Sequence, residues 1–405
     1  MLFNAQISSF RVGPFAQAAC VLAGALLASG CMQNVDPDAA RAEFSSKSRS
    51  LPPNSTTGKP SATAGSTRAT DELASPPPGL LSAGETPVLH TPVLSESELP
   101  RTEAVATAAE RDGAAAILRA ASRSNWAALR ANAIEAAESN KALLAELAPR
   151  GLVDENRGVR FVACMAIGET RDRDLGVLVQ PLLQDESASV RASAMLALSR
   201  CGHTVDLTPI AAMLTDNEPE VRANAYLVLG ELGNKSAVPL IRDSIGRGMK
   251  LVNPIRARLV DLTAAEALVK LGDEREIEPL RAALFAPPEQ AELTLVACDA
   301  LGRLRDEVSR PMLERLLTVS GDARRSPEIR IAAARALMRI GDAAPAALAV
   351  AREYLGNPDG RVRSQAAALL GQVRSPESFD LLSRLLRDAD PTVQVAAAAG
   401  IERGE

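Results

Sequence analysis

The chain repeats one sequence pattern at intervals of 31 to 39 residues over most of its length. The stretch DESASVRASAMLALSRCG (185–202) is followed 31 residues later by DNEPEVRANAYLVLGELG (216–233), with Asp, Val, Arg, Ala, Leu and a closing Gly at matching offsets. A repeat of this length is one supersecondary unit that cannot bury its own apolar face. The sequence therefore predicts a continuous row of stacked units.

Each unit is predicted to be a pair of helices. Eight copies share an apolar anchor, an Ala four residues later and a Leu or Ile eight residues later, which lie on one helical face. Leu129, Ala133 and Ala137 form a weaker, earlier copy, and shorter helices, several with Pro near their start, stand between the long ones. We expect an all-α chain of about nine helix pairs, from roughly residue 103 to residue 402. The anchors are Val159, Val190, Val221, Val260, Leu293, Ile329, Val362 and Val393.

Glycine residues close to the ends of the long helices predict helix stops, because glycine readily adopts the left-handed conformation that ends a helix. Four of them follow the last apolar position directly: Gly168, Gly230, Gly302 and Gly371. Four others stand a few residues further on: Gly202, Gly233, Gly272 and Gly341.

The pattern Asp-x4-Val-Arg-x2-Ala-x3-Leu-Gly, with Pro-Leu in the preceding helix, resembles HEAT repeats, in particular the short HEAT-like repeats of the phycobilisome-lyase type. The resemblance runs from about residue 125 to the end and implies an α-solenoid. It also implies a structural ladder in which a loop Asp and a helix Arg form hydrogen bonds along the stack. The ladder residues are Asp154, Arg160, Asp185, Arg191, Asp216, Arg222, Arg330 and Arg363. The alternative is a row of guanidinium groups that accepts an anionic partner.

The expected shape is open. At roughly 8–10 Å for each packed helix layer, nine pairs make a rod or arc about 70–90 Å long with a gently concave surface. Such surfaces mostly bind proteins or peptides. The last helix, PTVQVAAAAGIERGE, has no following repeat, so its apolar face is expected to stay uncovered, either as exposed alanines or for end-to-end association.

Two irregular steps in the repeat indicate a specialised zone. Insertions at GRGMKLVNPIRAR (246–258) and SGDARRSPEIR (320–330) fall between the two helices of a pair, so both emerge on one edge. They are either solvated loops or a contact edge for an acidic partner. Their basic residues are Arg247, Lys250, Arg256, Arg258, Arg324 and Arg325.

The first thirty residues are typical of a secretory signal peptide, with one positive charge followed by a short apolar run. Leu27-Ala28-Ser29-Gly30-Cys31 resembles the bacterial lipobox, which implies acylation of Cys31, although the residue three before the Cys is Ala28 where Leu is commoner. Ordinary signal-peptidase cleavage and an uncleaved anchor are the alternatives. The predicted location is the bacterial cell envelope, either as a membrane-anchored lipoprotein on the periplasmic side or as a secreted protein.

Residues 31–102 are predicted to be a disordered Ser/Thr/Pro-rich tether, because such a composition buries too little apolar surface to offset the entropy of ordering. About seventy flexible residues span roughly 45 Å. The stretch PVLHTPVL around His90 is interpreted either as plain linker or as a short docking motif. The repeat array then occupies residues 103–405.

Composition weighs against several function classes. A net charge of −5 and an aromatic content of 2% disfavour nucleic-acid binding. The chain has two His residues and no HExxH, phosphate-binding or Gly-x-Ser-x-Gly motif, and we predict no catalytic residue, metal or cofactor. Cys164, Cys201 and Cys298 are expected to be buried. The predicted function is an exported, lipid-anchored scaffold that binds a protein or peptide and is not an enzyme; the alternative is a lyase-like enzyme subunit.

Overall fold

The computed structural model describes residues 104–247, 253–321 and 324–403, and within these ranges all regular structure is helical. The signal segment, Cys31, the tether and Lys250 lie outside the described residues. The chain divides into two units, and the described residues all belong to one of them. The predicted all-α class and the α-solenoid of repeated helix pairs are confirmed.

The helices of the described ranges form nine pairs, and from the second pair onward the second helix of each pair is the longer one. The even-numbered helices are α2 (Ala127–Ala136), α4 (Arg157–Thr170), α6 (Ala188–Arg200), α8 (Pro219–Leu232), α10 (Pro254–Lys270), α12 (Ala291–Leu304), α14 (Pro327–Ile340), α16 (Gly360–Val373) and α18 (Pro391–Glu402). The odd-numbered helices are α1 (Ala108–Ala121), α3 (Lys141–Leu152), α5 (Arg173–Val177), α7 (Pro209–Met213), α9 (Val238–Ser244), α11 (Glu278–Ala283), α13 (Arg310–Thr318), α15 (Ala344–Tyr354) and α17 (Pro376–Leu385). Several odd helices are extended by 3-10 turns, such as Gln180–Gln184 after α5.

Local sequence fixes where the helices begin. The Asp390 side chain accepts a hydrogen bond from the backbone N–H of Thr392, and Pro391 occupies the first helical position of α18. Thr107 and Glu110 form a reciprocal capping box at the start of α1. These caps satisfy backbone donors that have no partner inside the helix, so each connection ends at a defined residue.

The even helices pack side by side in chain order and form an inner layer, while the odd helices flank them. Their anchors are buried, as are the Ala residues four positions later. Glu135 of α2 and Arg403, at the end of α18, both act electrostatically on Arg335 of α14, although α14 neighbours neither helix. These three helices therefore face a common centre.

The row closes on itself, so the prediction of an open rod or arc is wrong. Helix α18 packs against α1 and α2 as if the first pair were the next repeat, and Asn140 Nδ2 donates a hydrogen bond to Glu402 at 2.9 Å. Val395 and Ala398 of α18 are 3% and 0% exposed, so its apolar face is covered, contrary to expectation. The small rotation between neighbouring repeats accumulates until the ends meet, and sequence periodicity does not report that rotation.

The four glycines expected to end helices directly lie inside them instead. Their missing side chains allow close approach of the next even helix. A Cβ atom built on Gly302 would lie 2.8 Å from Ala336 Cα, and one on Gly371 would lie 2.7 Å from Gly400 Cα. Gly168 and Gly230 meet Ala197 and Ala267 in the same way, each at 3.0 Å. By contrast, Gly202, Gly233 and Gly272 have positive φ as predicted, whereas Gly341 is extended.

Candidate functional site

The ladder residues lie at the N-terminal ends of the even helices. The Arg160 guanidinium donates to both carboxylate oxygens of Asp185 at 2.7 and 3.0 Å, and its Nη1 donates to the carbonyl oxygen of Asp154 at 2.9 Å. Arg130 pairs with the Asp154 carboxylate at 2.7 Å, and Arg130 keeps the pKa of Asp154 low although burial opposes this. Each arginine therefore ties its own loop to the loop of the following pair.

The other ladder residues are used differently. Arg191 contacts the carbonyl oxygen of Asp185 at 2.7 Å, and Arg363 pairs with Asp388 at 2.8 Å. Arg222 is fully buried and donates to the carbonyl oxygens of Asp216 and Arg247, each at 2.5 Å. Arg330 pairs with Glu353 at 2.5 Å and lies over the Tyr354 ring. These guanidinium groups are engaged with the chain itself, which favours the ladder interpretation over an anion-binding row.

The connections within the pairs form one edge of the ring, which we call the loop edge. The predicted basic residues that the structure describes lie there, in the fifth and seventh pairs. Arg247 pairs with Asp243, Arg258 donates to Gln290 at 2.8 Å, and Arg324 pairs with Glu353. These three side chains are exposed, while Arg256 and Arg325 are partly buried.

Two large apolar side chains are exposed on the same part of the loop edge. Phe285 follows α11 and is 62% exposed, and Ile245 follows α9 and is 36% exposed. The residues Ile245, Arg247, Arg258, Phe285 and Arg324 are called the loop-edge patch. Sequence reasoning missed Phe285, although an aromatic residue directly before APP, in a chain that is 2% aromatic, was a usable signal.

A second ionic system, which we call the inner charge chain, lies near the C-terminal ends of the even helices. Arg200 and Lys270 pair with Glu231 at 2.7 and 2.6 Å, and Arg303 pairs with Glu266 at 2.6 Å. Ion pairs continue to Glu169 at one end and through Asp299 to Arg339 at the other. Burial would raise the pKa of Glu266, but Arg303 and Lys270 lower it to about 2. The inner layer thus carries a self-compensated network of buried charges.

The sequence contains a signal for the inner charge chain that the repeat pattern alone did not bring out. The position ten residues after the anchor is charged in seven of the eight copies. These residues are Glu169, Arg200, Glu231, Lys270, Arg303, Arg339 and Arg403, while the remaining copy has Gln372. Because the sign of the charge varies from copy to copy, this position does not stand out as a repeat of identical residues.

A groove opens where the ring closes. It has a volume of about 400 Å³ and lies between α1, α2 and α18. Its lining is mainly apolar, and Trp126, which is 61% exposed, stands in its wall. We call it the seam groove; its lining residues are Ile117, Ala120, Ala121, Ser124, Trp126, Leu129, Pro391, Gln394 and Val395.

The remaining reactive side chains are held in the fold. Cys164, Cys201 and Cys298 are free and buried, as predicted, and burial raises the pKa of Cys164 to about 12 and that of Cys201 to about 11. Such thiols stay protonated and are poor nucleophiles. His203 Nε2 lies 2.9 Å from the carbonyl oxygen of Arg173. Across the described ranges, no group of three or more His, Cys, Asp or Glu side chains is arranged to hold a metal ion.

The described residues contain no helix that is both long enough and apolar enough to cross a membrane.

Paired helices stacked on a shared inner layer, with an Arg–Asp ladder between neighbours, define a helical-repeat protein. The family model for HEAT repeats matches residues 141–218, 207–292, 289–367 and 322–402, which together make up more than half of the chain. The chain belongs to the HEAT-repeat family.

Solved structures with similar folds include the complex of CpcE and CpcF of phycocyanin lyase from Nostoc sp., at 19% identity and a TM-score of 0.28. That match covers 63% of this chain and 92% of the other. Kap121p bound to Nup53p matches at 16% identity and a TM-score of 0.29, over 70% of this chain and 36% of the other. A comparison with curated proteins gave no match.

Proposed function

We propose that this protein is an exported scaffold, anchored in the bacterial cell envelope by lipid on Cys31, and that its HEAT-repeat ring binds a protein or peptide through the loop-edge patch. The observation that carries the proposal is the exposure of Phe285 and Ile245 between arginines on one arc of the ring. Exposed aromatic residues beside arginine are enriched at the centres of protein interfaces.

The patch favours a partner segment that combines an apolar anchor with acidic side chains. Arg247 and Arg324 are engaged only in exposed ion pairs, with Asp243 and Glu353. Such pairs contribute about 0–1 kcal/mol, so exchanging one carboxylate for another costs little. Phe285 can supply the buried apolar contact that slows dissociation of the complex. The arginines orient the partner and raise the association rate.

The inner layer is a poorer candidate for binding. In an open solenoid the inner helices would offer a concave surface, whereas here they carry the inner charge chain, whose side chains are largely buried and already paired. Binding there would require breaking buried ion pairs, at a cost of about 3–5 kcal/mol each.

The test uses a photo-cross-linking amino acid at position 285 in cells that express the full chain. The matched control places the same group at Glu274, which is exposed in the connection between the fifth and sixth pairs, on the opposite edge. We expect a discrete cross-linked protein from position 285 alone, and its loss when Arg247, Arg258 and Arg324 are changed to Glu. The Arg171→Glu and Arg275→Glu changes on the opposite edge should leave it intact. Equal cross-linking from both edges would refute a specific patch.

Anchoring is tested separately. Intact-mass measurement of the mature N-terminus should give acylated Cys31, and Cys31→Ser should release the protein from the membrane fraction. A mature chain that begins after Ala28, Ser29 or Gly30 without acyl mass would favour plain secretion. Turnover of a small molecule by the purified ring would favour the alternative, a lyase-like enzyme subunit.

A further inference from the structure

The Arg–Asp ladder is interrupted on the loop edge between the fifth and sixth pairs. In an intact rung, the arginine that follows one anchor pairs with an acid in the loop of the next pair, as Arg160 does with Asp185 at 2.7 Å. In the fifth pair, Asp261 stands directly after the anchor, at the position of that arginine. The charge at this position is therefore reversed, and a rung of the usual kind cannot form.

The sixth pair lacks the other half of the rung. Each ladder acid stands at the end of a Leu-x-Asp sequence in the loop of its pair: Asp154, Asp185, Asp216 and Asp388. The corresponding sequence in the sixth pair is Leu284-Phe285-Ala286. Ala286 takes the place of the acid, and the exposed Phe285 directly precedes it. The gap in the ladder therefore lies within the loop-edge patch.

Asp261 lies beside the connection that carries Phe285. It shares a face of α10 with Arg258, which stands three residues earlier. Arg258 in turn donates a hydrogen bond to the side-chain oxygen of Gln290 at 2.8 Å. Gln290 ends the short connection that begins with Leu284, so this face of α10 is turned towards the sixth pair.

The Asp261 carboxyl group has charges near it but no donor in contact with it. It is half-buried and forms no hydrogen bond or ion pair with the described residues. Burial raises its pKa above the ordinary value, although Arg222 and Arg258 oppose this. In an intact rung the outcome is the reverse, because Arg130 donates directly to Asp154 and keeps the pKa of that carboxyl low.

The negative charge of Asp261 does not stabilise the fold. Because its pKa is raised on folding, the folded chain disfavours the ionised form relative to the unfolded chain. A half-buried carboxylate that the fold leaves unpaired, next to an exposed aromatic side chain, is a position where a partner can supply the missing donor.

We propose that a basic side chain of the partner, Arg or Lys, completes the interrupted rung by donating to Asp261, while an adjacent apolar residue of the partner covers Phe285. This inference rests on the proposed function and adds to the chemistry of the partner. The partner segment then carries one basic residue among the acidic residues that face Arg247 and Arg324.

The arginines near Asp261 do not exclude a further cation. Within the ladder, both Arg130 and Arg160 act on the carboxylate of Asp154, so two guanidinium groups are tolerated around one acid. A segment with only acidic and apolar residues would bury the Asp261 carboxylate further without giving it a donor. Asp261 thus selects against such segments.

The test uses the cross-linking group at position 285 in the full chain. Asp261→Asn keeps the shape of the side chain and removes its charge, and it should lower the yield of cross-linked partner at least about tenfold. The matched control, Glu289→Gln, neutralises an exposed carboxylate of the same connection and should leave the yield unchanged. The unfolding midpoint of Asp261→Asn at pH 7 should equal or exceed that of the wild-type chain, which separates lost binding from lost folding.

Mass spectrometry of the cross-linked peptide then identifies the partner segment. It should contain Arg or Lys beside the cross-linked residue, and changing that residue to Glu should abolish the adduct with the wild-type chain and restore it with Asp261→Lys. An adduct that survives Asp261→Asn undiminished, or a segment without a basic residue there, would overturn this inference and leave the loop-edge patch intact. No adduct from the wild-type chain would refute the patch itself, and this inference with it.

Discussion

Neighbouring even helices meet either across a glycine or without one, and the contrast between these two kinds of interface shows where the ring is least tightly packed. At α4–α6, α8–α10, α12–α14 and α16–α18, a glycine nine residues after the anchor meets an Ala or Gly of the next helix. At the corresponding position, the 3-10 turn that follows α2 has Glu138 and α18 has Glu402. Close packing across a glycine therefore joins four pairs of neighbouring even helices, and it is absent where α18 meets α2.

The count of pairs explains this difference. Glycine interfaces alternate with glycine-free ones along the nine pairs of the described ranges. A closed ring of nine pairs has nine such interfaces, and two kinds of interface cannot alternate strictly around an odd number. Two glycine-free interfaces therefore lie side by side, with α2 between them. The seam groove opens at one of these two interfaces, where α18 meets α2.

The charges follow the same division. Arg303 lies between Glu266 and Asp299, and all three side chains are at most 6% exposed and paired. Near the seam, Oε1 of Glu138 and Oε1 of Glu402 are buried without a hydrogen-bond partner among the described residues. A buried polar atom without a partner costs about 1–3 kcal/mol. The cluster of Glu266, Arg303 and Asp299 is fully paired, whereas Glu138 and Glu402 beside the seam each keep one unpaired oxygen among the described residues.

The largest expected effect comes from breaking the satisfied interior. Arg303→Met should destabilise the ring by about 3–5 kcal/mol, because it leaves the buried Glu266 and Asp299 without their shared partner. Denaturant unfolding of the full chain, followed by circular dichroism, measures this loss.

The matched control is Arg361→Met, which removes the Arg361–Asp359 ion pair on the surface, where the arginine side chain is 84% exposed. Its expected cost is below about 1 kcal/mol. Equal losses for the two variants would mean that the inner charge chain is no better connected than a surface pair.

The next effect sharpens the contrast in packing. Gly302→Ala should cost about 1–3 kcal/mol, because its Cβ would lie 2.8 Å from Ala336 Cα, in the backbone of the facing helix. The same change at Gly113, inside α1, meets nothing within 4 Å and should stabilise the ring by about 1 kcal/mol through helix propensity. The melting temperatures of the two variants should move in opposite directions, and a shared sign would remove the role assigned to the interior glycines.

Sequence periodicity was sufficient to predict the helix pairs and their anchors, because the offsets 0, 4 and 8 directly encode a helical face. It was not sufficient to predict the role of Gly302 or Gly371. A glycine near a helix end is equally consistent with a stop and with a close helix contact, and only the facing residue decides between them. Ring closure was out of reach for a related reason, since it depends on a small rotation between repeats that is summed over nine pairs.

The site was predicted in part. The basic loops were located on one edge from the irregular steps alone, and Arg247, Arg258 and Arg324 are exposed there. Phe285 was missed because it stands in a connection of ordinary length, where the repeat spacing gave no warning. The seam groove could not be predicted at all, since its walls come from residues more than 250 positions apart, such as Leu129 and Val395.

The smallest expected effect is the pH dependence that Glu138, beside the seam, gives to the stability of the ring. Burial and the nearby Glu135 and Glu169 raise the pKa of Glu138 well above its ordinary value of 4.5, although Arg403 and Arg200 oppose this. The folded chain therefore holds this proton more tightly than the unfolded chain does. The contribution of Glu138 to stability is complete below pH 4.5 and is lost as the pH rises through the raised pKa.

Glu138→Gln keeps the shape of the side chain and removes the titration. At pH 7 it should stabilise the ring by about 1 kcal/mol, and the gain should vanish towards pH 4.5. Glu266→Gln in the interior should behave in the opposite way. Its pKa is lowered to about 2, so its stabilising contribution is present at pH 7 and is lost only as the pH falls below its ordinary 4.5. The measurement is the unfolding midpoint of each variant relative to the wild-type chain at pH 7. If both variants move it in the same direction, the seam and the interior do not differ in how their charges are compensated.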